Sequence, residues 1–310
     1  MRLPSLLLAT LLIATPAPAQ GRWPTVRRDA ALEARLQALA REVNGEVGIY
    51  VRHLKSQRGA LIRADELFPT ASMIKVPILA TTFDRIEHGQ LSFDSVLTWA
   101  DSLRYRGEDD LFDKLQAGAK IPLNQVSLMM ITTSDNAAAL WLQSLVGGGA
   151  AVNSWLHANG FDSTRLNSRT PGREANRASY GWGQTTPREM AELVVRIRDG
   201  KAVSPAASAQ MYRHLTRIHW NGEALSAIPP WVQAASKQGA VDRSRSETVL
   251  VNAPSGDYVF SVITKQQVDT SYTSNNQGYV LLRKVSALLW RTFEPKQPWI
   301  PPAGVERFTP

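Results

Sequence analysis

Apolar and polar positions alternate in three distinct ways along this chain. From Asp29 to Val43 the apolar residues recur at helical spacing, with Leu32, Leu36 and Leu39 on one face, and Asn44-Gly45 turns the predicted helix. Val47 to Leu54 has the alternation of a half-buried strand, Val47, Ile49 and Val51 falling on one side. Ser56-Gln57-Arg58-Gly59 reads as a hairpin-like turn, and Ala60 to Ala64 as the returning strand. Helical text then dominates from Ser72 to about Gly200, broken by Gly, Pro and Asn loops. Near Ala235 the pattern changes back. Thr248 to Val251 and Tyr258 to Thr264 are β-branched runs joined by a hairpin connection over 252–257, and a last helix covers about Gly278 to Phe293 before a Pro-rich tail.

The order α-β-β, long helical insert, β-β-α predicts an α+β fold. Early and late strands pair in one antiparallel sheet, the terminal helices cover one face, and the insert packs as an all-α lobe. On this reading residues 20–310 form one catalytic domain. Its α/β lobe comes from about 29–66 and 235–293, its helical lobe from about 67–234, and its active site is expected where the lobes meet.

The first residues read as a secretory signal over 1–19. Arg2 is a basic start, Leu6 to Thr15 an apolar run, and Ala17-Pro18-Ala19 a small-residue cleavage site. The run is too short for a membrane span and no later stretch is long enough, so an exported chain, periplasmic or extracellular, is expected. The chain has no cysteine, which excludes disulfides, thiolate metal sites and cysteine nucleophiles. Its net charge of +8 is scattered rather than striped, which argues against a nucleic-acid partner.

Three short segments carry candidate chemistry. In Thr70-Ala71-Ser72-Met73-Ile74-Lys75 the three-residue spacing sets a hydroxyl beside an amine on one helix face. A serine needs a base to become a nucleophile, and a lysine serves only where burial lowers its pKa from about 10.4. Ser-x-x-Lys alone says little, because roughly one is expected by chance in a chain of this length. Ser134-Asp135-Asn136 follows where a loop meets an alanine-rich helix. It reads either as a plain helix cap or as a proton-relay hydroxyl with a substrate-binding amide. Ser236-Lys237-Gln238-Gly239-Ala240 opens a strand, where a lysine can hold an anionic group and a glycine admits a close backbone. No Gly-x-Ser-x-Gly elbow, phosphate-binding loop or His-Glu-x-x-His spacing is present, and Tyr105 is a candidate wall of the cleft.

Together these segments resemble the class A β-lactamases and their penicillin-binding relatives, which carry Ser-x-x-Lys, Ser-Asp-Asn and Lys-Thr/Ser-Gly in this order. The intervals here are 62 residues from Ser72 to Ser134 and 103 from Ser134 to Lys237. Phe68-Pro69-Thr70, Ser244-Arg245 and Thr185-Thr186-Pro187 match as flanks, and the resemblance runs from about Leu32 to Phe293. It implies a serine hydrolase acting on a small β-lactam or peptidoglycan-like amide, with no metal or organic cofactor. Ser72 is the implied nucleophile, Lys75 its base, Ser134 a relay, and the backbone N–H groups of Ser72 and Ala240 an oxyanion hole. Asn136 is expected on the substrate's side-chain amide, Lys237, Gln238 and Arg245 around its carboxylate, and Gly239 where the backbone runs beside the substrate. Two positions depart from the family. Gln238 stands for Thr or Ser, and Thr170 stands where class A enzymes carry the glutamate that activates the deacylating water. Glu174 is the candidate replacement. The alternatives are a slowly deacylating penicillin-binding protein or peptidase, and a non-catalytic envelope-binding or sensor module on the same fold.

Overall fold

The computed structural model describes residues 23–105 and 110–308; the expected signal sequence lies outside them. The chain starts with strand β1 (Arg27–Arg28) and helix α1 (Ala30–Ala40). Asp29 sets the start of α1, its Oδ1 accepting the Leu32 N–H at 3.0 Å, as a capping carboxylate does. The helix is shorter than its apolar pattern, and the buried Val43 belongs to the following turn. Strands β2 (Glu46–His53) and β3 (Arg58–Ile62) form the expected hairpin, with β3 starting two residues before the alternation suggested.

A short β4 (Phe68–Pro69) leads into the insert. It holds α2 (Lys75–Glu87), β5 (Val96–Thr98), β6 (Lys120–Pro122), α3 (Leu123–Thr132), α4 (Asn136–Leu145) and α5 (Gly148–Ala158). Then come β7 (Arg165–Leu166), α6 (Glu174–Tyr180), β8 (Gly183–Thr185), α7 (Pro187–Arg198) and α8 (Pro205–Leu215). Strands β9 (Ala234–Val241), β10 (Ser244–Val251) and β11 (Tyr258–Lys265) and helix α9 (Gln277–Phe293) complete the molecule.

The strands assemble in the order β1-β3-β2-β11-β10-β9, antiparallel except for β1 beside β3, so chain ends distant in sequence share one sheet. Period-two alternation gives the sheet two apolar faces. Val47, Ile49, Val51, Phe260 and Val262 pack under α1 and α9. Tyr50, Leu250 and Val259 point the other way, onto Ala191, Val194 and Val195 of α7. A bidentate ion pair of Arg52 with Glu192, both buried, ties β2 to α7, and the Tyr50 hydroxyl donates to the same carboxylate at 2.6 Å. The helical lobe has its own core, centred on α2. Strand β9 is the sheet edge that faces this lobe, and the candidate site lies along it.

Candidate active site

The three motif segments come from three places in the fold and meet at one cleft. Ser72 lies in a single 3-10 turn (Ala71–Ile74) that runs straight into α2, so Lys75 is the first residue of that helix. Ala71 before it has φ +43°, and Ser134, in the loop between α3 and α4, has φ +62°. Such non-glycine left-handed residues cost of order 1–3 kcal/mol each and cluster where the surroundings hold a functional geometry. Edge strand β9 closes the third side. A Cβ on Gly239 would stand 2.7 Å from Thr70 O and 2.9 Å from Ser72 N, so only glycine lets β9 approach the Ser72 turn this closely.

Lys75 is fully buried, with Nζ 3.1 Å from Ser72 Oγ, 3.0 Å from Ser134 Oγ and 2.8 Å from Asn136 Oδ1; it also bonds Ser134 O. From β9, Lys237 Nζ donates to the same Ser134 Oγ at 3.0 Å and to Gln238 Oε1 at 2.8 Å. One hydroxyl thus bridges two buried amines. Burial pulls Lys75 down to about 7, against the charges of Asp110 and Asp135, which favour its protonated form. Lys237 is held well below the ordinary lysine range, by burial first and then by the charge of Lys75. At neutral pH Lys75 is therefore available as a base, which an exposed lysine is not.

The cleft these residues line has a volume of about 420 Å³. The structure brings Ser72, Ser134, Asn136, Gln238, Gly239 and Ala240 to its surface, with Lys75 and Lys237 directly behind. Two of the expected residues are not brought there. Arg245 is buried on the far side of β10, its guanidinium donating to the carbonyls of Val241, Ser244 and Ser271 and lying over the rings of Tyr272 and Tyr279. Adjacent residues of a strand point to opposite faces, and here Ser246, not Arg245, shares the face of Lys237 and Gly239. Among the described residues, the guanidinium that lines the cleft is Arg283 of α9. Glu174 is exposed at the start of α6 and accepts the Gly172 N–H at 3.1 Å, turned into its own loop. Thr170 packs inward against Gly149 of α5, where a Cβ would come within 1.7 Å of its Oγ1. The loop segment that does approach Lys75 carries Trp182, whose ring centroid lies 6.0 Å from Nζ and against whose edge Tyr105 packs.

The carboxylates that do line the cleft, among the described residues, are Asp110 and Glu223. No motif singled them out. Asp110 lies in a loop of no periodicity, and Glu223 in the polar connection between α8 and β9. Glu223 also faces Glu247 of β10, which is buried and raised to about 8 by that burial and by Glu223 itself.

A family model described as the β-lactamase enzyme family matches residues 31–293. The chain belongs to that family. A curated β-lactamase from Streptomyces cellulosae is 25% identical over 254 residues, covering 80% of this chain and 81% of the relative. Among solved structures, PBP-A superposes with a TM-score of 0.78 at 25% identity, over 88% of this chain and 99% of that one. The β-lactamase from Sphaerobacter thermophilus gives 0.77 at 21% identity, over 88% and 100%, which speaks for the fold alone. This β-lactamase-family member therefore has the α+β fold that its motif order predicts, and a hydrolase function of the serine β-lactamase type.

Proposed function

We propose that the protein forms an acyl-enzyme on Ser72 with β-lactams or related peptide amides, and that it acts outside the cytoplasm. The observation that carries this reading is the Ser134 hydroxyl bridging Lys75 and Lys237, with Ser72 Oγ also in hydrogen-bond reach of Lys75. Neutral Lys75 takes the Ser72 proton as Oγ attacks the carbonyl carbon. Ser134 Oγ accepts from both amines, so its own proton points onward, to the leaving nitrogen. As the C–N bond breaks, Ser134 delivers that proton and regains one from Lys75. Backbone N–H groups of Ser72 and of Ala240 on the edge strand stabilise the oxyanion, each typically worth about 2.7–4 kcal/mol. Asn136 Nδ2 is free to hold the substrate's side-chain carbonyl, since its Oδ1 is engaged by Lys75. Export is supported by the signal-like text of 1–19.

Within the same chemistry, slow release of the acyl group is favoured by the placement of Thr170 and Glu174, neither of which offers a base to a water at the ester. A variant of PBP-A has been captured as its acyl-enzyme with penicillin G, which supports this reading of the fold. The test is to mix the purified protein with penicillin G and follow intact mass and ring opening together. Wild type should show a stoichiometric burst and then turnover about 100- to 10,000-fold slower, the usual contribution of a general base. Ser72→Ala should gain no mass, and Glu174→Gln should behave as wild type. An adduct undiminished in Ser72→Ala overturns the assignment. Burst-free rapid turnover overturns slow release, and the absence of any adduct or ring opening favours a non-catalytic module.

A further inference from the structure

One carboxylate beside the nucleophile has no part in the scheme above. Asp110 is 2% exposed in the wall that it shares with Ser72 and Ser134. Its Oδ1 accepts the main-chain N–H of Asn136 at 2.6 Å, whereas its Oδ2 is buried with no hydrogen-bond partner among the described residues. Asn136 in turn meets Lys75 Nζ through Oδ1 at 2.8 Å. A half-satisfied buried carboxylate carries the desolvation penalty of the oxygen left unpaired. It calls for a nearby charge to balance it.

Among the described residues, the ionisable groups that bear on this corner are Asp110, Asp113 and Asp135 from the helical lobe, Lys237 and Glu247 from the sheet, and Glu223. Asp110 and Asp135 favour a protonated Lys75, while Lys237 approaches it across Ser134 and Glu223 acts on Lys237. Asp135 is already engaged, accepting N–H bonds from Ala138 at 2.8 Å and Phe112 at 3.0 Å as the cap of α4. Asp110 has an oxygen to spare, and its contacts run through Asn136 to the amine. We propose that Asp110 is the positioning residue of Lys75: its main-chain bond fixes Asn136 on the amine, and its charge sets the pH above which Lys75 takes the Ser72 proton.

The inference rests on the acyl-transfer reading. A negative neighbour stabilises the protonated amine, so it raises the pH at which the free base appears, in opposition to burial. Asp110→Asn keeps an oxygen for the Asn136 N–H and removes only the charge. The rate of Ser72 acylation by penicillin G, read as quenched intact mass across the acid and neutral range, is the measurement. In Asp110→Asn the acid limb should move down by about 1 pH unit, the low end of what one opposite charge does. Below that limb the variant should be acylated faster than wild type, by up to about tenfold. Asp110→Glu restores the charge and should restore the limb; Asp110→Ser carries the test if the Asn variant does not fold. A fall in rate at every pH with the limb unmoved means a structural role only and overturns the proposal. Wild type that is not acylated at any pH overturns the acyl-transfer reading and this inference together.

Discussion

Arg245 shows how far one residue's role depends on the face it occupies. Its guanidinium joins three main-chain carbonyls to two tyrosine rings and has no surface in the cleft. Arg245→Ala should therefore cost stability, at least about 2 kcal/mol for the buried acceptors left unpaired, as seen in a denaturant midpoint. It should weaken acylation by penicillin G and by its methyl ester to the same extent. A selective loss for the free carboxylate would restore Arg245 to substrate binding. Lys75 differs, because in the proposed scheme its burial makes it the base. Lys75→Ala should slow acylation by about 100- to 10,000-fold at neutral pH while the far-ultraviolet circular dichroism stays that of the wild-type fold.

At the scale of elements, the site is a junction of one helix start, one interhelical loop and one sheet edge. The edge strand is the sensitive member. Gly239→Ala sets a methyl carbon 2.7–2.9 Å from Thr70 O, Ser246 Oγ and Ser72 N, two of which are main-chain atoms that cannot swing aside. The strand must move off the Ser72 turn, carrying Lys237 and the Ala240 N–H with it. The expected outcome is loss of acylation by about 100-fold or more, since a misplacement of about 1 Å can have that effect. The far-ultraviolet circular dichroism should stay unchanged, because β9 keeps its pairing with β10. Near-normal acylation in Gly239→Ala would mean that the close approach is not needed. The same scale explains the missing loop carboxylate. The loop from β7 to β8 is cross-linked internally, Arg173 reaching Asn167 and Gln184 while Asn176 donates to Gln184, and this packing turns Glu174 outward.

At the scale of the whole molecule, stability should fall on the acid side through a residue far from the chemistry. His214 is buried in the helical lobe, its Nε2 at 3.1 Å from Ser127 Oγ and its ring edge-on to Phe83. Burial lowers it to about 4, below the unfolded value of about 6.5. Between those values the unfolded chain binds the extra proton and the native one does not. Stability is therefore complete above pH ~6.5 and is lost as the pH falls toward ~4, by about 3 kcal/mol from this one group. His214→Gln should remove that part of the acid dependence, seen as a smaller drop in denaturation midpoint across the same range. An unchanged drop would place the acid sensitivity elsewhere.

What the sequence determined by itself was whatever local spacing dictates. The period of two in Val47, Ile49 and Val51 put them on one face under α1 and α9. Thr186, with Pro187 after it and Glu189 three residues on, reads as a capping box and starts α7, its side chain accepting the Glu189 N–H. The motif order was enough to imply the family, and the hydroxyl–amine pair of Ser72 and Lys75 follows from three-residue spacing on one turn. The register of sheet pairing lay beyond its reach, because it depends on contacts between residues some 200 apart. The packing of the β9–β10 hairpin on the Ser72 turn, from a distant part of the chain, put Ser246 rather than Arg245 on the cleft side and used Gly239 to admit that turn, and the packing of α9 brought Arg283 to the wall. The depressed pKa of Lys75 was equally out of reach, since it comes from burial among segments distant in the chain. Asp110 is the clearest case: it sits in a loop with no pattern, and only the packing of that loop on the start of α4 sets its carboxylate against Asn136.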